Sequence, residues 1–153
     1  MCSANGLQPD GQNDNGWDQG LLFLNPSQVW PQPPGYALQM FSQNYQPRLL
    51  KCALTGNSEL DANAALSDDG KTLVVRVINP GDNAATAKLR FTGFVPKQPT
   101  ARVTELSGNM EARNTAAHTT TVVPTQSEWK HGLPNEPAGY KFSAHSLTVL
   151  RFE

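Results

Sequence analysis

The stretch TLVVRVIN, residues 72–79, decides how the rest of the chain is read. Leu73, Val75 and Val77 fall on one face at a period of two, and Val74 and Ile78 fall on the other, so both faces meet apolar neighbours. This is the pattern of a central strand. Immediately upstream, Leu60, Ala62, Ala64 and Leu66 share one face, and Ser67-Asp68-Asp69-Gly70 supplies a turn, which together predict a hairpin. Downstream, Asn79-Pro80-Gly81-Asp82 turns the chain. Ala85, Ala87, Leu89 and Phe91 then alternate with Thr86, Lys88 and Arg90 in a half-exposed strand, and Ala101 and Val103 continue the pattern.

Further out the signal weakens. Ser107 to about Gly139 is polar, carries Pro124, Pro134 and Pro137, and predicts an ordered loop lying over the sheets. Tyr140 to Phe152 regains a strand texture, and its terminal strand should pair inside a sheet. Residues 1–47, rich in Asn, Gln, Gly and Pro, show neither strand nor long helical period and predict loop. The exception is one short helix beginning at Pro33-Pro34-Gly35, with Tyr36, Met40, Phe41 and Tyr45 along a stripe, ended by Gln46-Pro47. The fold expected is mainly β, an antiparallel sandwich or jelly roll with an N-terminal loop and one short helix.

The bulk properties narrow the function. At 153 residues the chain cannot hold a complete sugar-cleaving barrel, which needs roughly 250 residues. A net charge of -1 makes no field to gather nucleic acid or an anionic membrane, so a neutral partner such as carbohydrate is expected. No apolar run approaches the roughly 20 residues of a membrane span, and MCSANGLQPDGQ at the amino terminus has neither a basic start nor a hydrophobic stretch, so a soluble chain without export signal is read. Cys2 and Cys52 are read as free thiols. Asn25 is followed by Pro26, and no glycosylation sequon occurs.

Three stretches carry a resemblance: LQPDGQNDNGWDQGLLFLNPSQVWPQPPGYALQMFSQNYQP at 7–47, MEARNTAAHTTTVVP at 110–124 and SAHSLTVLRF at 143–152. In order and spacing they resemble the carboxy-terminal third of family 51 glycoside hydrolases, the α-L-arabinofuranosidases. The resemblance implies a parent enzyme with a (β/α)8 barrel and two catalytic glutamates, acid/base and nucleophile, that removes arabinofuranosyl groups from arabinoxylan or arabinan with retention. Both glutamates would lie upstream of Met1. Residues 1–47 would then be a remnant of the barrel, its last loop and helix, and 48–153 a C-terminal β-sandwich that does no hydrolysis alone. The resemblance further implies that Gln32 faces substrate with Trp30 as its aromatic neighbour, and that a segment from before the barrel completes the sandwich.

The residues themselves offer little catalytic chemistry. Retaining hydrolysis needs two carboxyl groups roughly 5 Å apart with divergent pKa values. Asp10, Asp14 and Asp18 lie among glycines and asparagines as turn formers, Asp68-Asp69 belongs to a turn, and Glu59, Glu105, Glu111, Glu128 and Glu136 read as solvated groups on strand edges and loops. His118, His131 and His145 make no local metal motif, no Gly-x-Ser-x-Gly elbow occurs, and neither metal nor cofactor is expected. Aromatic faces amid amides suit sugars better: Trp17 and Trp30 are balanced between sugar contact and packing, Tyr36 favours packing, and Trp129 is either a sugar platform or the anchor of the long loop. An accessory domain is therefore set beside a free-standing carbohydrate-binding module using Trp17, Trp30 or Trp129, and, more remotely, a small hydrolase or metal-dependent oxidase. Apolar area that would face a barrel makes self-association one outcome.

Overall fold

The computed structural model describes residues 5–12, 19–56, 59–133 and 135–153. At its centre lies the quoted run, here β6 (Leu73–Asn79), hydrogen-bonded to β5 (Asp61–Leu66) on one side and to β11 (Ser146–Phe152) on the other. With β4 (Arg48–Leu50), β8 (Thr100–Ser107) and β9 (Thr125–Lys130) they form a six-stranded antiparallel sheet in the order β4-β5-β6-β11-β8-β9. Across its inner face lies a two-stranded sheet of β7 (Ala85–Leu89) and β10 (Ala138–Phe142). The core between them is Leu73, Val75, Val77, Val103, Leu150 and Phe152 against Leu89, Ala138 and Phe142, as the period of two predicts. Leu60, Ala62, Ala64 and Leu66 also face this core. The fold is a β-sandwich, mainly antiparallel.

The hairpin turn is built from its own side chains. Gly70 takes φ +71°, and the Ser67 hydroxyl accepts from the Thr72 N–H at 2.9 Å. Asp69 accepts from the Ser67 hydroxyl at 2.6 Å and from the Lys71 N–H at 3.0 Å, bonds that hold its carboxyl below the usual range.

The outer face of the six-stranded sheet is covered by α1 (Pro33–Gln43), which packs Met40, Tyr36 and Ala37 onto Val74, Leu106, Leu147 and Val149. The two prolines open the helix, and its last turn is closed by Asn44, whose backbone and side-chain N–H groups both reach the Met40 carbonyl. Gly35 has a packing reason: a Cβ there would lie 2.5 Å from the Leu21 carbonyl oxygen. The expected stripe is only half right. Phe41 is 37% and Tyr45 70% exposed, because Tyr45 follows the helix end and the buried line runs Tyr36–Met40. An 11-residue helix spans only about 16 Å, so the apolar outer face ends before Ile78, which is 41% exposed.

Two loop expectations are corrected. Within residues 1–47 the chain forms β1 (Asn5–Pro9), β2 (Gly20–Asn25) and β3 (Gln28–Pro31), a three-stranded sheet in which β1 and β2 run parallel. The β2–β3 turn is an Asx turn, with the Asn25 carboxamide oxygen accepting from the N–H groups of Ser27 and Gln28. The polar stretch 107–139 contains β9, an edge strand whose Gln126, Glu128 and Lys130 are exposed; with Trp129 its single apolar residue it carries no hydrophobic period, and β8 recruits it through the backbone. Among the described residues no helix is long and apolar enough to cross a membrane.

Candidate functional site

Trp30 and Gln32 are two residues apart, so β3 and the residue that follows it aim both at the same side. That side meets the segment 110–115, and between this segment and β1–β2 opens a cleft of about 700 Å³ lined by Gln8, Gln19, Phe23, Gln32, Met110, Arg113, Asn114 and Thr115 among others. Its floor is made of amides. Gln8, 4% exposed, accepts from the Gly20 N–H at 2.9 Å and the Gln19 N–H at 3.2 Å. Glycine at position 20 is required by that approach, because a Cβ would stand 2.7 Å from the Gln8 Cβ.

Asn114 organises the site and was given no role in the sequence reading. Its carboxamide donates to the carbonyls of Pro31 (2.8 Å) and Val122 (2.9 Å) and accepts from the Val122 N–H (2.8 Å). Its backbone N–H donates to the Gln32 side-chain oxygen (3.2 Å), and its carbonyl accepts from Gln32 Nε2 (2.6 Å) and Trp30 Nε1 (3.2 Å). Gln28 adds a further strap, donating to the Ala116 carbonyl at 2.8 Å. The signal lay in the stretch MEARNTAAHTTTVVP, but a polar loop residue shows no periodicity, and only its partners reveal its task.

The other expected residues fall as follows. Trp30 is 1% exposed, tilted against Phe23 at 6.3 Å between ring centroids. Gln32 is 8% exposed and lines the cleft, keeping one amide N–H and one oxygen lone pair beyond its bonds to Asn114. Trp17, Asp14, Asp18 and Cys2 lie outside the described residues. Trp129 is half-buried, edge-on to Tyr140 at 5.0 Å and Phe152 at 6.2 Å. Asp10 is exposed on the cleft. Cys52 is an exposed free thiol.

Among the described residues, Asp10 and Arg113 are the charged groups that line the cleft, and the other titratable groups lie elsewhere. Glu105, expected to be solvated, is half-buried on the inner face, where Ser143 and Ser107 donate hydroxyls to it at 2.9 and 3.2 Å. Burial, and then the charge of Glu105, push the Tyr140 phenol up. Glu59, Glu111, Glu128 and Glu136 are exposed. His118 is exposed, His145 sits at φ +46° with Nε2 3.0 Å from Asp82, and His131 is buried beside Phe152 with neither ring nitrogen bonded, so desolvation lowers its pKa. Among the described residues no group of three His, Cys, Asp or Glu is placed to hold a metal ion. Among the described residues the cleft thus brings amide side chains, the Arg113 guanidinium and the Asp10 carboxylate together beside an apolar wall.

No curated protein sequence matches the chain. Among solved structures it superposes on an arabinose-bound family 51 α-L-arabinofuranosidase with a TM-score of 0.85 and 21% identity, over 97% of this chain and 23% of that one. The α-L-arabinofuranosidase of Thermotoga maritima in its arabinose complex gives 0.77 and 20% over 88% of this chain and 31% of that one. The catalytic domain of a family 30 xylanase from Talaromyces cellulolyticus gives 0.62 and 22% over 97% and 29%. The chain therefore spans between 23% and 31% of the length of these proteins. At such identities the likeness concerns fold. The model of the α-L-arabinofuranosidase C-terminal domain matches residues 15–146, most of the sequence, and the chain belongs to that family.

Proposed function

We propose that this chain acts as the accessory β-sandwich of an α-L-arabinofuranosidase, bracing a catalytic (β/α)8 barrel and presenting Gln32, backed by the buried Trp30, at the edge of its sugar site, without hydrolysing glycosides by itself. The observation that carries the reading is the Asn114 clamp: one buried side chain and its backbone tie the 108–124 loop to both residues. Further support comes from the parallel pairing of β1 with β2, the pairing mode of a barrel, which suits residues 1–47 as barrel-derived and 48–153 as the sandwich. Leu7 and Val29 lie 61% and 60% exposed on the outward side of this small sheet and fit a seat for the barrel; left uncovered, the same side would promote self-association. The apolar groove of about 330 Å³ beside the free edge of β7 fits the completing segment that the family resemblance implies.

The test is release of nitrophenol from an arabinofuranoside by the purified, cooperatively folded chain, beside pull-down on insoluble xylan and cellulose. No turnover and no retention are expected. Turnover would overturn the accessory reading, and retention without turnover would replace it with a carbohydrate-binding module.

A further inference from the structure

Arg76 is a cation in an expensive place. It sits on the outer face of β6, 8% exposed, under the end of α1 with its guanidinium 6.0 Å from the Phe41 ring centre. Its terminal nitrogens reach the Asn63 side chain at 3.1 Å and the Asn44 carbonyl, while Nε has no partner. Among the described residues no carboxylate pairs with it. A buried charge without a counter-ion is costly, so something negative nearby would stabilise the fold.

Next to it lies a polar cleft of about 160 Å³ at the junction of α1, β8, β9 and β11, lined by Gln43, Asn44, Arg102, Thr104, Gln126 and Arg151. The ladders explain the convergence. Val149 stands opposite Arg76 on one side and Thr104 on the other, and Arg151 stands directly opposite Arg102. Like charges in that position destabilise a sheet. Glu153 engages Nε of Arg151 at 3.0 Å, and Glu128, opposite Arg102 in the β8–β9 ladder, is exposed and among the described residues makes no ion pair. The C-terminal carbonyls of α1 add partial negative charge, and Arg76 takes up one of them.

We infer that this cleft binds a carboxylate-bearing sugar, a uronic acid residue, with Arg102 and Arg151 on the carboxylate and Gln43, Gln126 and Thr104 on the ring hydroxyls. Guanidinium groups match the planar carboxylate in fork geometry, and the amides and hydroxyl supply the mixed donors and acceptors that a polyol needs. The site stands apart from the accessory-domain reading, since none of these residues lines the Gln32 cleft.

The experiment is a titration of the ¹⁵N-labelled chain with sodium glucuronate, sodium acetate and glucose, following the side-chain amides of Gln43 and Gln126. Glucuronate should shift them saturably and more weakly at high salt, and glucose should not. Arg102→Ala and Arg151→Ala, both off the core, should keep the thermal transition and each weaken binding about tenfold. Unmoved amides with glucuronate, or unchanged affinity in both variants, would overturn the site; acetate binding as tightly as glucuronate would overturn its assignment to a sugar. None of these results bears on the turnover assay above.

Discussion

The inner core of the sandwich and the Gln32 cleft are held by opposite means. Around Phe152, fully buried against Phe91 at 4.8 Å, cohesion is apolar and non-directional, spread over many partners. Around Asn114, cohesion is six directed hydrogen bonds converging on one residue. A core of the first kind tolerates a change of shape better than the loss of volume. A network of the second kind tolerates neither the loss of a donor nor its inversion.

Substitutions can separate the two. Phe152→Ala should have the largest effect, about 3–5 kcal/mol in urea unfolding, because the cavity lies where both sheets meet. A smaller loss would mean that β7–β10 closes down on the gap. Asn114→Ala leaves the Pro31 and Val122 carbonyls and the Val122 N–H without their partner and should cost about 2–3 kcal/mol in the same urea unfolding. Asn114→Asp should be no milder, since it turns a carboxylate oxygen toward two carbonyls. If Asp restores stability, the clamp is not the device described here.

Third in size is a pH effect. The His131 pKa is lowered by burial from 6.5, so below 6.5 the unfolded chain takes up a proton that the folded chain resists. The stability present above pH 6.5 is therefore lost as pH falls, by at most about 1.4 kcal/mol per pH unit. His131→Phe should flatten that slope, measured as Tm between neutral and mildly acidic buffer, and an unchanged slope would assign it to other groups. Smallest is Gly70→Ala, about 1 kcal/mol for a side chain at φ +71°, with open space around it.

The same contrast explains what could be read in advance. β6, β5, the Ser67–Gly70 turn, β7 and the terminal strand follow from alternation and turn chemistry, which are local. The strands β1 and β9 do not, because Leu7 or Trp129 alone sets no period and the pairing comes from a neighbour distant in sequence. Trp30 and Gln32 could be singled out through a family resemblance, whereas Asn114, 82 residues beyond Gln32, could be recognised only by its bonds. Glu105 was read as solvated because nothing in its neighbours along the chain shows that Ser143 folds back onto it.

By itself, then, the sequence determined a two-faced central strand, the hairpin beside it and a helix started by two prolines, since each depends on residues within one turn or one strand. The tertiary structure alone decided which strands pair in parallel, which loop clamps the cleft and which arginines share a face. The physical reason is that hydrophobic alternation is written along the chain, while directed hydrogen bonds and charge proximity exist only once distant segments are brought within about 3 Å of each other.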